Sequence, residues 1–208
     1  MELKKIYCID EIVETYISGD WGSETESAET PCAIACIRGA DIVPIYNSDF
    51  SHIPLRYISE GSFATRSLQK GDIVIEKSGG SPTQSTGRVV YISQELLSER
   101  RKVVCSNFCT AFRIKEGWDA KYVYYYLQLV YNAGVFFNFE GKTSGLKNLM
   151  LDSAFKSIKI KEVAIEVQHS IATAISNFES KIVANRAINH YLPTPARSSE
   201  VAKVRLAA

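Results

Sequence analysis

Ile171, Ile175, Phe178, Ile182, Asn185, Asn189 and Leu192 follow one another at spacings of 4, 3, 4, 3, 4 and 3. That alternation puts all seven on one seam of an α-helix, the heptad arrangement that seats a partner helix. A helix beginning near Ala164 and stopped by Pro193 and Pro195 covers roughly 28 residues, about 42 Å at the α-helical rise. A helix cannot bury such a stripe on itself. It packs either on its own domain or on another helix, and the two asparagines within the seam favour one register and one partner. The spacing therefore divides the chain into a globular region, 1–160, a long dimerisation or spacer helix, 161–192, and a linker or tail, 193–208.

A chain of 208 residues, 46% hydrophobic and 23% charged, has the length and apolar content for one ordinary core with an appended element. It is neither disordered nor collagen-like. No stretch approaches the roughly 20 apolar residues of a membrane span, and the start, Met1 to Cys8, has no apolar run of secretory type. Five cysteines would leave one unpaired in a disulfide framework, so a reducing, cytoplasmic setting is expected. The net charge of +1 hides a gradient. Residues 1–30 hold eight acids against Lys4 and Lys5, a balance of −6, which leaves +7 on the other 178 residues. Such asymmetry gives either a basic face on a near-neutral protein or two sets of solvated charges.

The first 115 residues read as short strands between turn signals, at 32–37, 72–76, 88–92 and 108–114. Between the second and third of these lies a polar loop from Lys77 to Gly87, with three glycines, one proline and no residue that demands burial. Loops of this length in compact domains are functional or disordered. A helix follows from Asp119 to Ala133, capped by Asp119 and ended by Gly134, with Val123, Leu127 and Val130 on one stripe. Its tyrosines, Tyr122, Tyr124, Tyr125 and Tyr126, read as half-buried packing. A second polar loop runs from Glu140 to Asn148. No internal repeat is visible.

Catalytic signatures are missing. His52, His169 and His190 are scattered, and the sequence contains no nucleophile elbow, Walker loop or zinc-protease helix. Gly79, Gly80 and Gly87 do not match a dinucleotide fingerprint. Cys32/Cys36 and Cys105/Cys109 form two pairs with three residues between. Zinc sites favour other spacings, whereas on strands this spacing places both thiols on one face, where small apolar core residues belong. No metal, cofactor or catalytic residue is expected.

Several segments taken together resemble the specificity subunit of type I restriction–modification systems. They are Gly19–Gly22 (Gly-Asp-Trp-Gly), Ile37–Ile42, Leu68–Ile75, Ser78–Gly80 with Gly87, and Ser106–Phe108. After the tyrosine-rich helix come Thr143–Asn148, Leu151, Ile158–Ile160 and a helix with Gln168 near its start. The prolines with which the family usually enters that helix are absent from Ile160–Gln168. The resemblance runs from about residue 10 to 190. Family subunits usually carry two recognition domains, each followed by a long helix, and the two helices pack antiparallel as a spacer between half-sites. This sequence resembles one such half, as a half-subunit or a fragment.

The resemblance implies an α+β target recognition domain with a twisted, mostly antiparallel sheet, followed by one coiled-coil-type helix. It implies a chain that reads double-stranded DNA without catalysing anything itself, while DNA methyltransferase and restriction subunits supply methyl transfer and cleavage. A homodimer or a second specificity half is the expected helix partner, and no membrane is involved. The polar loops hold the candidate readers: Lys77, Ser78, Ser81, Thr83, Gln84, Thr86 and Arg88 in the first, Lys142, Thr143, Ser144, Lys147 and Asn148 in the second. Asn and Gln pair bidentately with adenine, Arg and Lys with guanine. Arg100, Arg101 and Lys102 have the charge and reach for phosphates. Two alternatives stay open. One is a protein–protein adaptor that uses the helix and never touches DNA. The other is a recognition domain from a fused restriction enzyme.

Overall fold

The computed structural model describes residues 5–80, 84–143 and 146–191. Its elements run β1 (Ile6–Cys8), α1 (Ile9–Ile12), β2 (Val13–Ser18), β3 (Cys32–Ile37), α2 (Ile42–Tyr46), β4 (Leu55–Ile58), α3 (Glu60–Arg66), β5 (Ile73–Glu76) and β6 (Ser78–Gly79). They continue with β7 (Val89–Tyr91), α4 (Gln94–Glu99), β8 (Val103–Cys105), β9 (Cys109–Ile114), α5 (Ala120–Asn132), β10 (Glu140–Thr143), β11 (Leu146–Leu149), α6 (Leu151–Ser157), β12 (Lys159–Lys161) and α7 (Ile165–Tyr191). The class is α+β, as expected. Among the described residues the strands form four small sheets, in the orders β2-β9-β5-β7, β4-β3-β8, β10-β11-β6 and β1-β12. Among the pairings of described strands only β3–β8 is parallel.

The two central strands of the four-stranded sheet, β5 and β9, are buried on both faces, which explains why they read as near-continuous apolar runs, whereas the edge strand β2 is mostly exposed. Ile73, Ile75, Phe112 and Ile114 enter one core with Ile9, Ile12, Phe155 and the α5 residues Val123, Leu127 and Val130. Val74, Cys109 and Ala111, one step out of phase, enter a second core with Ile37, Ile42, Leu96 and Val103. Period-two alternation thus feeds two cores from one sheet. The α5 boundaries are those expected. The Asp119 carboxylate accepts from Tyr122 N at 2.8 Å, and Gly134 follows with φ of 73°. Tyr124 and Tyr125 are buried in the first core, with Tyr122 and Tyr126 packed at its edge.

The short motifs of the resemblance have structural explanations. Asp72, fully buried, accepts from Gln69 N at 2.8 Å and takes Arg113 at 2.9 and 3.1 Å. Asp20 N donates to Cys105 O, Trp21 N donates to Asn107 Oδ1, and the Arg56 guanidinium lies 3.8 Å over the Trp21 ring. A Cβ at Gly19 would stand 2.0 Å from the carbonyl oxygen of Ser106, so only glycine lets these two segments cross.

The cysteine reading holds for burial in both pairs and for geometry in one, since Cys32 and Cys36 share strand β3 and one buried cluster. Cys32, Cys36, Cys105 and Cys109 are all buried. Cys105, however, ends β8 and Cys109 starts β9, so that pair flanks a turn instead of sharing a strand face. Burial pushes the Cys36 and Cys109 thiols up to about 12.

The described residues up to Ala174 form one compact unit and those from Ile175 form a second. Within the first unit, Gln168 and Ala172 are buried. Gln168 Oε1 accepts from Asp119 N at 3.0 Å, and its Nε2 donates to Val163 O at 2.9 Å. The seam residues Ile171, Ile175, Phe178 and Ile182 are exposed, by 38, 37, 67 and 46%. Asn185 is exposed as well, while the Asn189 side chain and Leu192 lie outside the described residues.

Two predictions arise here. Gly19→Ala forces a side-chain carbon into a backbone carbonyl and should lower the unfolding free energy by roughly 1–3 kcal/mol. Gly61→Ala, within α3 and with no atom inside 4 Å of the new carbon, should raise it by about 0.5–1 kcal/mol. Urea unfolding of both variants measures the contrast, and equal effects would refute it. Second, a thiol reagent at mildly alkaline pH should label only half-buried Cys8 in the native chain, and all five cysteines after denaturation. Native labelling of two or more thiols would count against the buried assignment.

Candidate nucleic-acid interface

Strand β5 ends on Glu76, whose side chain is 3% exposed. A carboxylate at that depth requires a hydrogen-bonded counter-charge. Arg88, at the far end of the first polar loop, supplies it through Nε at 2.8 Å and Nη2 at 2.7 Å. The backbone agrees, because Glu76 N donates to Arg88 O and Gly87 N donates to Glu76 O. The carboxylate holds the Arg88 guanidinium above its ordinary pKa. With its amide oxygen turned toward Arg88, Gln84 accepts from the same guanidinium at 3.2 Å.

A second carboxylate ties this loop to the other one. Glu140 Oε1 accepts from Thr86 N at 2.6 Å and Thr86 Oγ1 at 3.1 Å, and its Oε2 takes Lys147 Nζ at 3.2 Å. Lys147 also donates to Gln84 O at 3.2 Å and stands 5.0 Å over the Phe137 ring. Ser85 and Thr86 are buried at 3% and 0% exposure. The expectation that nothing in this loop demands burial is therefore corrected. A Cβ at Gly87, where φ is 98°, would also meet Phe136 at 2.7 Å.

The two polar loops become one sheet. Strand β6 pairs with β11 in the register Ser78↔Asn148 and Gly79↔Lys147, and β11 pairs with β10. Ser78 Oγ donates to Asn148 Oδ1 at 2.5 Å, and Leu149 N donates to Lys77 O at 2.7 Å. On the other side of β6, the Phe108 carbonyl accepts from Lys77 N at 2.8 Å and Ser78 N at 3.0 Å. The result is a strip of hydroxyl, amide and ammonium groups, with the partly exposed Lys77, Ser78, Lys147 and Asn148 along its middle.

Other expected residues fall elsewhere. Thr86 and Arg88 are engaged by Glu140 and Glu76 and serve as supports of the strip. Arg100 Nη2 donates to Phe50 O at 3.0 Å, whereas Arg101 and Lys102 are exposed, with Lys102 Nζ 5.2 Å from the Phe63 ring. This basic turn precedes β8, at the opposite end of that strand from Ser106 and the strip. Ser81, Thr83 and Ser144 lie outside the described residues, as do the side chains of Lys142 and Thr143. Glu76, Glu140, Phe108 and Phe137 were not expected. Phe108 and Phe137 are 57 and 47% exposed. Phe108 stood in the Ser106–Phe108 motif and Glu140 opened the second polar loop, the signals that could have found these two. Beside the supports, Arg88, Val89, Ile42, Val43, Tyr46, Gln128, Tyr131 and Asn132 line a cleft of about 320 Å³. Among the described residues no cluster of His, Cys, Asp and Glu could hold a metal, and no helix is long and apolar enough to cross a membrane.

The comparisons bear on this arrangement. A family model described as type I restriction modification DNA specificity domain matches residues 5–193. No curated protein is significantly similar in sequence. Among solved structures, the chain is similar to one described under complex assembly and conformational transition of the type I R-M system, at 14% identity and a TM-score of 0.57, covering 90% of this chain and 42% of that one. It is similar to the type I restriction-modification S subunit from M. genitalium, at 14% identity and 0.54, covering 86% and 39%. It is also similar to the HsdS subunit from Thermoanaerobacter tengcongensis, at 15% identity and 0.51, covering 95% and 43%. The chain thus spans about two fifths of the solved chains it matches, and at these identities the likeness is one of fold. The family match extends from β1 into the residues that follow α7, taking in both polar loops and the long helix. On that match, the chain belongs to the type I restriction modification DNA specificity domain family.

Proposed function

We propose that this chain reads a DNA sequence for a type I restriction–modification system and brings methyltransferase and restriction subunits to it. The observation that carries the reading is the pairing of β6 with β11, which sets Ser78 beside Asn148 and joins two polar loops into one surface. Such a surface offers hydroxyls and amides, the groups that read base edges in a major groove. Arg101 and Lys102, exposed and separate from the strip, suit phosphates, which need charge and reach only. Chemistry is left to the partners, and the chain works in the cytoplasm without a cofactor.

In this reading residues 1–160 are the recognition domain, 161–192 the spacer helix and 193–208 a linker or tail. The exposed apolar seam of α7 takes a second copy or a second specificity half. The adaptor alternative makes the same use of α7 and differs only at the loops.

Four outcomes test the proposal. In complex with its methyltransferase partner, Asn148→Ala should weaken binding to the cognate duplex by about 5- to 150-fold, the value of a bidentate base contact, and leave scrambled duplex unaffected. Lys102→Ala should weaken cognate and scrambled DNA alike and reduce the salt slope by about one unit. Competition titrations measure both, and unchanged affinity in both variants would favour the adaptor. Arg88→Ala should behave differently, lowering stability by about 3–5 kcal/mol because it strands the buried Glu76 carboxylate; thermal or urea unfolding reads that. Lastly, Ile175→Asp with Ile182→Asp should turn a dimer into a monomer by light scattering. An unmodified chain that is monomeric at high concentration removes the seam from the proposal.

A further inference from the structure

The rim of the polar strip carries an aromatic residue that the reading above does not use. Phe108 is 57% exposed, yet its backbone is tightly held. Its carbonyl takes the amides of Lys77 and Ser78, Cys109 N donates to Ser106 O at 2.9 Å, and Ser106 N donates to Ile37 O at 2.8 Å. The neighbouring Asn107 side chain accepts from Trp21 N at 3.0 Å. The turn therefore holds the Phe108 backbone in place, beside the β6 residue that bonds Asn148, with the ring open to solvent. Phenylalanine cannot donate or accept a hydrogen bond, so it reads only an apolar feature. The major-groove edges of the four base pairs display one such feature, the C5-methyl group of thymine.

We propose that Phe108 is a specificity-determining residue that contacts the methyl group of a thymine next to the base addressed by Ser78 and Asn148. The inference rests on the DNA-reading proposal and adds a base identity to it. Insertion of the ring between base steps is the competing use of an exposed aromatic, and that use ignores the methyl group.

The test replaces each thymine of the cognate half-site by deoxyuridine in turn, which deletes the methyl group and nothing else. Binding is measured with the chain assembled with its methyltransferase partner. The parent should lose about fourfold in affinity at one position, the value of one buried methyl-sized group, and nothing at the others. Phe108→Ala should bind thymine and uracil duplexes equally, at the parent's affinity for the uracil duplex. Phe108→Leu, which keeps an apolar side chain, should retain part of the preference. Melting temperatures of both variants should match the parent. Three results overturn the inference: a parent indifferent to uracil at every position, a Phe108→Ala variant that keeps the thymine preference, or a half-site with no A·T pair. A parent that prefers no duplex at all overturns the DNA-reading proposal itself, which separates the two failures.

Discussion

The Glu76–Arg88 ion pair fixes the place where the sheet stops and the polar strip starts. Both residues close the β5–β7 hairpin, and the carboxylate sits where solvent cannot reach it. Gly39 and Gly79 pack against the same oxygen, so that a Cβ at either would lie 2.3 or 2.8 Å from Glu76 Oε1. A buried pair of this kind adds little net stability, but removing one partner is severely destabilising. Its effect is positional: the two ends of a long loop leave the sheet at one separation only. Glu140 repeats the device further out, gripping Thr86 on one loop and Lys147 on the other. The β6–β11 pairing is short, two residues on each strand, and it rests between these two carboxylates.

That arrangement changes what the strip can offer a ligand. Arg88 and Lys147, the obvious guanine readers by residue type, have their charge taken up inside the protein. The side chains left at the surface middle are a hydroxyl, an amide and the ammonium of Lys77. Direction rather than charge dominates there, since amide and hydroxyl dipoles are fixed by neighbours that are themselves hydrogen-bonded.

Local grammar made much of the fold legible. Apolar runs located β3, β5, β7 and β9 within about one residue, Asp119 and Gly134 bounded α5, and the proline-stopped seam announced α7. The α+β class with mostly antiparallel strands was legible for the same reason, because short-range period and turn residues decide it. The site was less legible. Ser78 and Asn148 are 70 residues apart, and nothing in either segment says that they pair. Thr86 is polar and looks like a loop residue, yet it is buried because Glu140, 54 residues away, satisfies it. Residue type reports that a group needs a partner but not whether water or a distant carboxylate provides it. Cys105 and Cys109 misled in the same way, since equal spacing does not distinguish one strand from two strands and a turn.

The charge gradient along the chain has a three-dimensional counterpart that follows from who pairs with whom. Among the described residues, ion pairs join Arg38 to Asp41, Arg88 to Glu76, Arg113 to Asp72 and Lys147 to Glu140, all inside the basic remainder of the chain. Each such pair is neutral and leaves the surplus of that region unchanged. Among the described residues only Arg56–Glu24, at 3.0 Å, is an ion pair that connects the acidic first 30 residues to the rest. Three other carboxylates of that segment accept from neutral donors instead, Glu11 from Cys8 N, Asp10 from the Tyr16 hydroxyl and Asp20 from Gly22 N and the Ser62 hydroxyl. Internal pairing therefore does not cancel the gradient, and the positive surplus rests on side chains such as Lys77, Arg101 and Lys102. Attraction of a polyanion needs surplus charge, whereas discrimination among its bases needs oriented dipoles. By pairing Arg88 and Lys147 with carboxylates where the polar strip is built, and holding Arg101 and Lys102 exposed at the turn before β8, the fold sets most of the dipoles and most of the surplus charge on different residues, with Lys77 as the overlap between them.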